Sequence, residues 1–150
     1  MTTAPSPMLG VQGAIIGLLR GDAALLDMVG AMRGAAATPA STVYDFVPED
    51  VPYPFVVIGE AIETPDNRHG GFGRQTVPTL HVWDRYRGYA RVLRVGARVT
   101  ELLDHQPLTV PGADWIATRY EFSQTLTDPE PPGDIRHLVL RYRVVTEQHP

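Results

Sequence analysis

Between Val43 and Arg85 the chain reads VYDFVPEDVPYPFVVIGEAIETPDNRHGGFGRQTVPTLHVWDR. Two apolar runs rich in β-branched and aromatic residues flank a stretch of Gly, Pro, Asn, Asp and charge, and such a pattern folds as a β-hairpin. It predicts strands over Phe55–Glu63 and Val77–Asp84, joined by a long loop over Thr64–Gln75. Phe55-Val56-Val57-Ile58 shows no polar alternation, which predicts burial on both faces at that end; beyond Gly59 only one face need be covered. Thr42–Phe46 reads as a short preceding strand. Val47–Pro54 carries Pro48, Pro52 and Pro54 and must be irregular, because proline cannot donate to a sheet ladder.

The C-terminal third repeats the β pattern. In Trp115–Leu126, Ile116, Tyr120, Phe122 and Leu126 point one way and Arg119, Glu121 and Ser123 the other. In Ile135–Thr146, Leu138, Leu140, Tyr142 and Val144 face a core, opposite His137, Arg141 and Arg143. The proline-rich turn TDPEPPG (Thr127–Gly133) makes these two strands a hairpin. If both place even-numbered residues on the core side, directly opposed residues must have an even sum, since a one-residue slip reverses every side chain. Glu121 then falls near Arg141 or Arg143. Leu108–Val110, followed by Pro111-Gly112, predicts the start of a small additional hairpin.

Between the two hairpins, Tyr89–Asp104 has helical spacing. Tyr89, Val92, Gly96, Val99 and Leu103 form an apolar stripe widened by Leu93, Val95 and Leu102, with Arg91, Arg94, Arg98 and Glu101 opposite. Two shorter helices are predicted over Met8–Leu19 and Ala23–Met32, the second capped by Asp22. Gly10, Gly13 and Gly17 weaken the first helix by about 1 kcal/mol each relative to alanine. It therefore needs tertiary packing, and the spacing reads as a surface for close helix approach. Met1–Pro7 reads as a flexible tail and Arg33–Ser41 as a linker. The order α-α-β-β-β-α-(β)-β-β defines a single α+β domain of two layers, a mainly antiparallel sheet with helices packed on one face.

A chain of 150 residues with 43% hydrophobic content supports one packed core. The formal net charge of -4 argues against a nucleic-acid-binding face. All thirteen basic residues are arginine, which fits a GC-rich coding genome. No cysteine is present, so disulfides and thiolate metal sites are excluded. Met8–Leu19 is too short to span a bilayer, and no signal peptide or membrane contact is expected.

No cluster of residues reads as a catalytic, cofactor or metal site. His69, His81, His105, His137 and His149 are scattered without metal-ligand spacing, and His81 reads as a hydrogen-bonded sheet residue. Gly70-Gly71-Phe72-Gly73 is followed by a strand, whereas a phosphate-binding loop is followed by a helix. It reads as a hairpin tip in which Asp66, Arg68, Phe72 and Arg74 supply charge and an apolar point suited to docking on a protein.

Three segments carry a resemblance: VYDFVP (Val43–Pro48), PYPFVVIGE (Pro52–Glu60) and THE strand TLHVWDR (Thr79–Arg85), followed by the helix near Gly88 and the closing LRYRVVTE (Leu140–Glu147). With these the chain resembles the tail-completion and tail-terminator proteins of long-tailed bacteriophages. That resemblance implies a structural virion protein without catalytic residues or cofactors. It implies a hexameric ring that caps the head-proximal end of the tail tube and joins it to the head connector, with double-stranded DNA passing through the bore without specific binding. The expected partners are the major tail tube protein, the head-completion or connector protein and further copies of this chain, in the virion of a phage or gene-transfer particle. The Thr64–Gln75 loop is then the candidate tube contact. Asp45, Glu49 and Asp50 at the sheet edge, and Arg91, Arg94 and Arg98 on the helix, are the candidate ring contacts. A different neck protein, such as a head-closure protein, is the neighbouring alternative; a small ligand-binding domain or enzyme is the other.

Overall fold

In the computed structural model, which describes residues 5–34 and 41–148, the chain runs α1 (Met8–Arg20), α2 (Ala23–Arg33), β1 (Val43–Tyr44), β2 (Phe55–Pro65), β3 (Gly73–Arg85), α3 (Ala90–Leu103), β4 (Ala113–Thr127) and β5 (Ile135–Gln148). The strands form one sheet in the order β1-β2-β3-β5-β4. Every pairing is antiparallel except β1 with β2, which is parallel. The fold is thus α+β, as the pattern predicts. Most of the predicted linker and most of the predicted N-terminal tail lie outside the described residues. Ser6 and Pro7 are anchored: the Ser6 hydroxyl bonds to Glu63 Oε1 at 2.9 Å and Pro7 is buried.

All three helices pack on one face of the sheet. Val11, Ile15 and Leu19 of α1, Leu25 and Val29 of α2, and Val92, Val95, Val99 and Leu103 of α3 meet Val56, Ile58, Leu80, Val82, Leu138, Leu140, Tyr142 and Val144. Asp22 caps α2 as expected, accepting from the Leu25 N–H at 2.9 Å. Gly96 is the point where α3 comes closest to the sheet, and a Cβ there would overlap the Leu138 side chain. Leu93 leaves the predicted apolar stripe and is 48% exposed. Of the three glycines in α1, only Gly10 marks a close approach, and it meets Val110 and Pro111 instead of a helix. That contact also explains why no small hairpin forms at Leu108–Val110. Both residues are buried in the core beneath α1, and the Pro111-Gly112 turn leads directly into β4.

The β4–β5 register departs from the even-sum rule, and the cause is local. Tyr120↔Tyr142 and Thr118↔Val144 obey it, but Phe122↔Arg141 and Trp115↔Thr146 do not. Two bulges, between Trp115 and Ala117 and between Tyr120 and Phe122, each insert one residue. Each insertion exchanges the faces of the strand beyond it. Phe122 and Leu126 therefore sit beside Arg141 and His137 on the helix-free face, while Ser123 and Thr125 take the core side. Ile116, Tyr120, Phe122 and Leu126, expected to face the core, are 37–43% exposed. The predicted neighbour of Glu121 holds: Arg143 Nη1 lies 3.2 Å from its carboxylate.

Candidate functional site

The helix-free face of the sheet carries the densest polar chemistry. His81 Nδ1 and His137 Nε2 are 2.7 Å apart, His81 Nε2 is 3.2 Å from Glu60 Oε2, and the Trp83 ring stacks on His137 with centroids 3.8 Å apart. His81 is thus the hydrogen-bonded sheet residue that its position predicts. Its partner was not legible, because the β3–β5 register that places Trp83 opposite His137 joins residues far apart in the chain. Two imidazole nitrogens at that distance can share one proton but not hold two. No group of three or more His, Asp or Glu side chains among the described residues is arranged to bind a metal.

Burial holds the His137 pKa below its ordinary value, and the neighbouring His81 pushes it the same way, against a smaller pull from Glu60. A depressed histidine pKa means that the folded chain binds fewer protons than the unfolded one. Stability is therefore lost as pH falls below the unfolded value of about 6.5. Replacing His137 with phenylalanine keeps the stack on Trp83 and removes the proton. Urea midpoints measured at pH 8 and pH 5 should differ less in this variant than in the wild type, and an unchanged difference would exclude His137 as the source.

The β2–β3 hairpin is shorter at its tip than predicted. Pairing continues through Thr64↔Gln75 and Pro65↔Arg74, so Arg74 belongs to β3 and only residues 66–72 turn. Asn67 Oδ1 accepts from the Gly73 N–H and from Arg74, and Arg68 bridges to Gly71. Asp66 and Phe72 are half-buried, with Gln148 N–H donating to Phe72 O, while Arg68 projects into solvent. The tip is an internally bonded turn that presents Arg68, His69 and Gly70.

The residues picked as ring contacts divide. Asp45, Glu49 and Asp50 are exposed in the segment between β1 and β2, and beside them Phe46 is 80% exposed. Arg94 is exposed and makes no ion pair among the described residues. The other two arginines of α3 are committed within the chain. Arg91 Nε lies 2.9 Å from Asp84 Oδ2, a carboxylate with no solvent exposure. Arg98 binds both carboxylate oxygens of Asp22, at 2.8 and 2.9 Å, and also reaches Glu101. The hydrogen bonds to Arg98 hold the Asp22 carboxyl below the usual carboxylate range. Helical spacing rightly sets these arginines opposite the core stripe, but it cannot reveal acids brought up by β3 and α2.

One concavity was not anticipated. Because α3 covers β3 and β5 but leaves most of β4 bare, an open groove of about 480 Å3 runs between α3 and β4. Leu93, Ala97, Tyr120, Ser123, Leu138 and Leu140 are among the residues that line it. Glu101 and Asp104 line it too, the first paired with Arg98 and the second accepting from the Tyr120 N–H at 2.9 Å.

Residues 13–147 match the family described as "Tail completion protein gp17". The tail completion protein gp17 of Bacillus phage SPP1 is 32% identical over 95 residues, spanning 63% of this chain and 69% of that protein. A chain from the virion of a native gene transfer agent particle superposes with a TM-score of 0.76 at 21% identity, covering 96% of this chain and 99% of that one. At that identity the likeness speaks for the fold.

Proposed function

The chain belongs to the tail completion protein gp17 family, and from that premise we propose that it closes the head-proximal end of a phage or gene-transfer-particle tail. Its role in the virion is structural. Copies assemble as a hexameric ring on the last layer of tail tube protein, stop further polymerisation and present the opposite surface to the head connector. DNA passes through the bore.

The observation that carries this reading is the family match across nearly the whole fold. The physical features are in keeping with it. A ring of identical subunits uses two different surfaces of each copy, joined head to tail. This sheet has different surfaces at its two edges: a short β1 with an acidic loop at one, the long β4 at the other. The acidic balance of the chain limits phosphate contacts along a bore. The β2–β3 tip, with Arg68 at its point, is the proposed contact to the tube.

Electron microscopy of particles made without this protein tests the assignment. Overlong tails, or tails separate from filled heads, are the expected result. Tails of normal length on heads that have lost their DNA would move the protein to a head-closure role. Normal infectious particles would end the tail reading.

A further inference from the structure

Like charges on directly opposite residues of a sheet destabilise the pairing, yet the helix-free face holds such a pair. Arg119 of β4 is opposite Arg143 of β5, and Arg141 follows on the same face of β5. All three are half-buried and lie against the sheet. One carboxylate sits among them, Glu121, 3.2 Å from Arg143 Nη1. Arg119 donates to the Thr118 carbonyl and Arg141 to the Thr79 hydroxyl, with the Arg141 guanidinium over the Phe122 ring. Neither makes an ion pair among the described residues. Two further acids share the face at a distance. The Glu60 carboxyl is held below its ordinary pKa by its own backbone N–H and by His81, with Arg141 the weakest contributor. Glu147 is four residues beyond Arg143 along β5, about 13 Å at the rise of a strand.

The turn between β1 and β2 has the reverse imbalance. Asp45, Glu49 and Asp50 are exposed, and none of them makes an ion pair among the described residues. Two of the three helix arginines that could have answered them, Arg91 and Arg98, are spent on Asp84 and Asp22. Within one copy the turn and the arginine patch lie toward opposite edges of the sheet. Three or four strand spacings of about 4.8 Å separate them, so they do not meet. Between copies they can.

We propose that the acidic turn carrying Asp45, Glu49 and Asp50 in one copy docks on the Arg119, Arg141 and Arg143 patch of the next copy. This rests on the ring reading above and names the contact that joins neighbouring subunits. Charge selects the occupant: the patch has more guanidinium than the chain itself neutralises, and the turn has carboxylates that the chain leaves unanswered. Guanidinium accepts a carboxylate through two parallel hydrogen bonds, so the pairing is oriented as well as attractive. A neighbour's acids between Arg119 and Arg143 also relieve the like-charge opposition within the sheet. Turn and patch are different surfaces, so the contact is of the head-to-tail kind from which rings are built.

Charge reversal on each side separately tests the contact. One variant carries Asp45→Arg and Glu49→Arg, the other Arg119→Glu and Arg141→Glu. With either variant alone, like charges meet at every junction, and the fraction of tails carrying the protein should fall about tenfold or more. Produced together, each variant's turn meets a patch of opposite sign on the other, and copies alternate around an even-numbered ring. Incorporation should then return to within about twofold of wild type. A defect in folding or in tube binding is not repaired by mixing. Undiminished incorporation of either variant alone overturns the proposal, and so does the lack of rescue between variants whose urea midpoints match wild type. If reversing the patch lowers the midpoint, Glu121→Gln decides, because it removes only the competing carboxylate. It should raise the salt concentration that strips the protein from tails, and an unchanged or lower one overturns the proposal. Particles that carry normal amounts of the patch variant but lose their DNA would assign the arginines to phosphates instead, which overturns it too. Tails that hold a single copy overturn the ring reading and this contact with it, whereas several copies that withstand reversal overturn the contact alone.

Discussion

Replacing Arg91 with methionine should lower stability at pH 7 by about 3 kcal/mol, and the loss should shrink as the solution is acidified. Asp84, the last residue but one of β3, has its side chain fully enclosed. Its Oδ1 accepts from the Arg85 N–H at 2.9 Å and from Arg91 Nη2 at 3.1 Å. Burial raises the carboxyl above its ordinary pKa, although Arg91 pulls it back. Methionine fills much of the arginine stem and leaves an uncompensated buried charge, the case in which breaking a pair costs most. Without the guanidinium the pKa rises further. A raised carboxyl pKa means that the folded chain holds a proton the unfolded chain has released. Stability then falls as pH climbs from the unfolded value of about 3.9 through the folded one. Urea unfolding of wild type and variant at pH 7 and pH 5 measures both effects. A loss under about 1 kcal/mol at pH 7, or a loss that does not diminish at pH 5, would show that the enclosed carboxylate does not depend on Arg91. Adding Asp84→Asn to the variant should recover most of the stability at pH 7.

The second large effect is steric. Gly96→Val should destabilise the chain by about 2 kcal/mol, within the range for overpacking a filled core. Glycine costs helix stability, yet it sits in the middle of α3 because the helix lies directly on β5 there. An added Cβ would overlap Leu138 Cδ2 and lie 3.6 Å from Leu140 Cδ1. Leu138 is 2% exposed, and the only room beside it is the α3–β4 groove, so its side chain must leave its packed position to make way. Shortening it removes the obstacle, so Leu138→Ala combined with Gly96→Val should cost clearly less than the sum of the two single changes. Simple additivity in thermal or urea unfolding would mean that the helix lifts away as a body instead of clashing at this contact.

The three helices, the β2–β3 hairpin and the β4–β5 hairpin are legible in the sequence because their signals are local. Helical spacing marks α3, Asp22 marks the start of α2, and the polar stretch between Thr64 and Gln75 marks a turn. The failures share a different character. The bulges near Ile116 and Glu121 leave no trace in an alternating strand, since each residue type remains compatible with either face. The parallel pairing of β1, only two residues long, depends on the end of β2 and not on its own composition. Among the candidate contacts, Asp45, Glu49, Asp50 and Arg94 are exposed as expected. Arg91 and Arg98 are occupied by Asp84 and Asp22, residues distant in the chain that only the tertiary fold supplies. Phe46 was visible as an apolar residue in a short strand, but that it projects follows from β1 ending at Tyr44. The groove needed knowledge of how far α3 extends across the sheet.

The connection from α3 to β4 has a further consequence. His105 N–H donates to Thr118 O at 2.9 Å, and Asp104 Oδ1 accepts from Tyr120 N–H. Both bonds fall on the side of β4 that faces away from β5, midway along an outermost strand of 15 residues. A bare strand of that length is a template on which misfolded chains can stack and grow into aggregates. Here an invading strand meets amide and carbonyl groups already taken at the middle of the run, and only short stretches on either side can be paired. The same few atoms that end a helix thus protect solubility while newly made copies await incorporation into a particle.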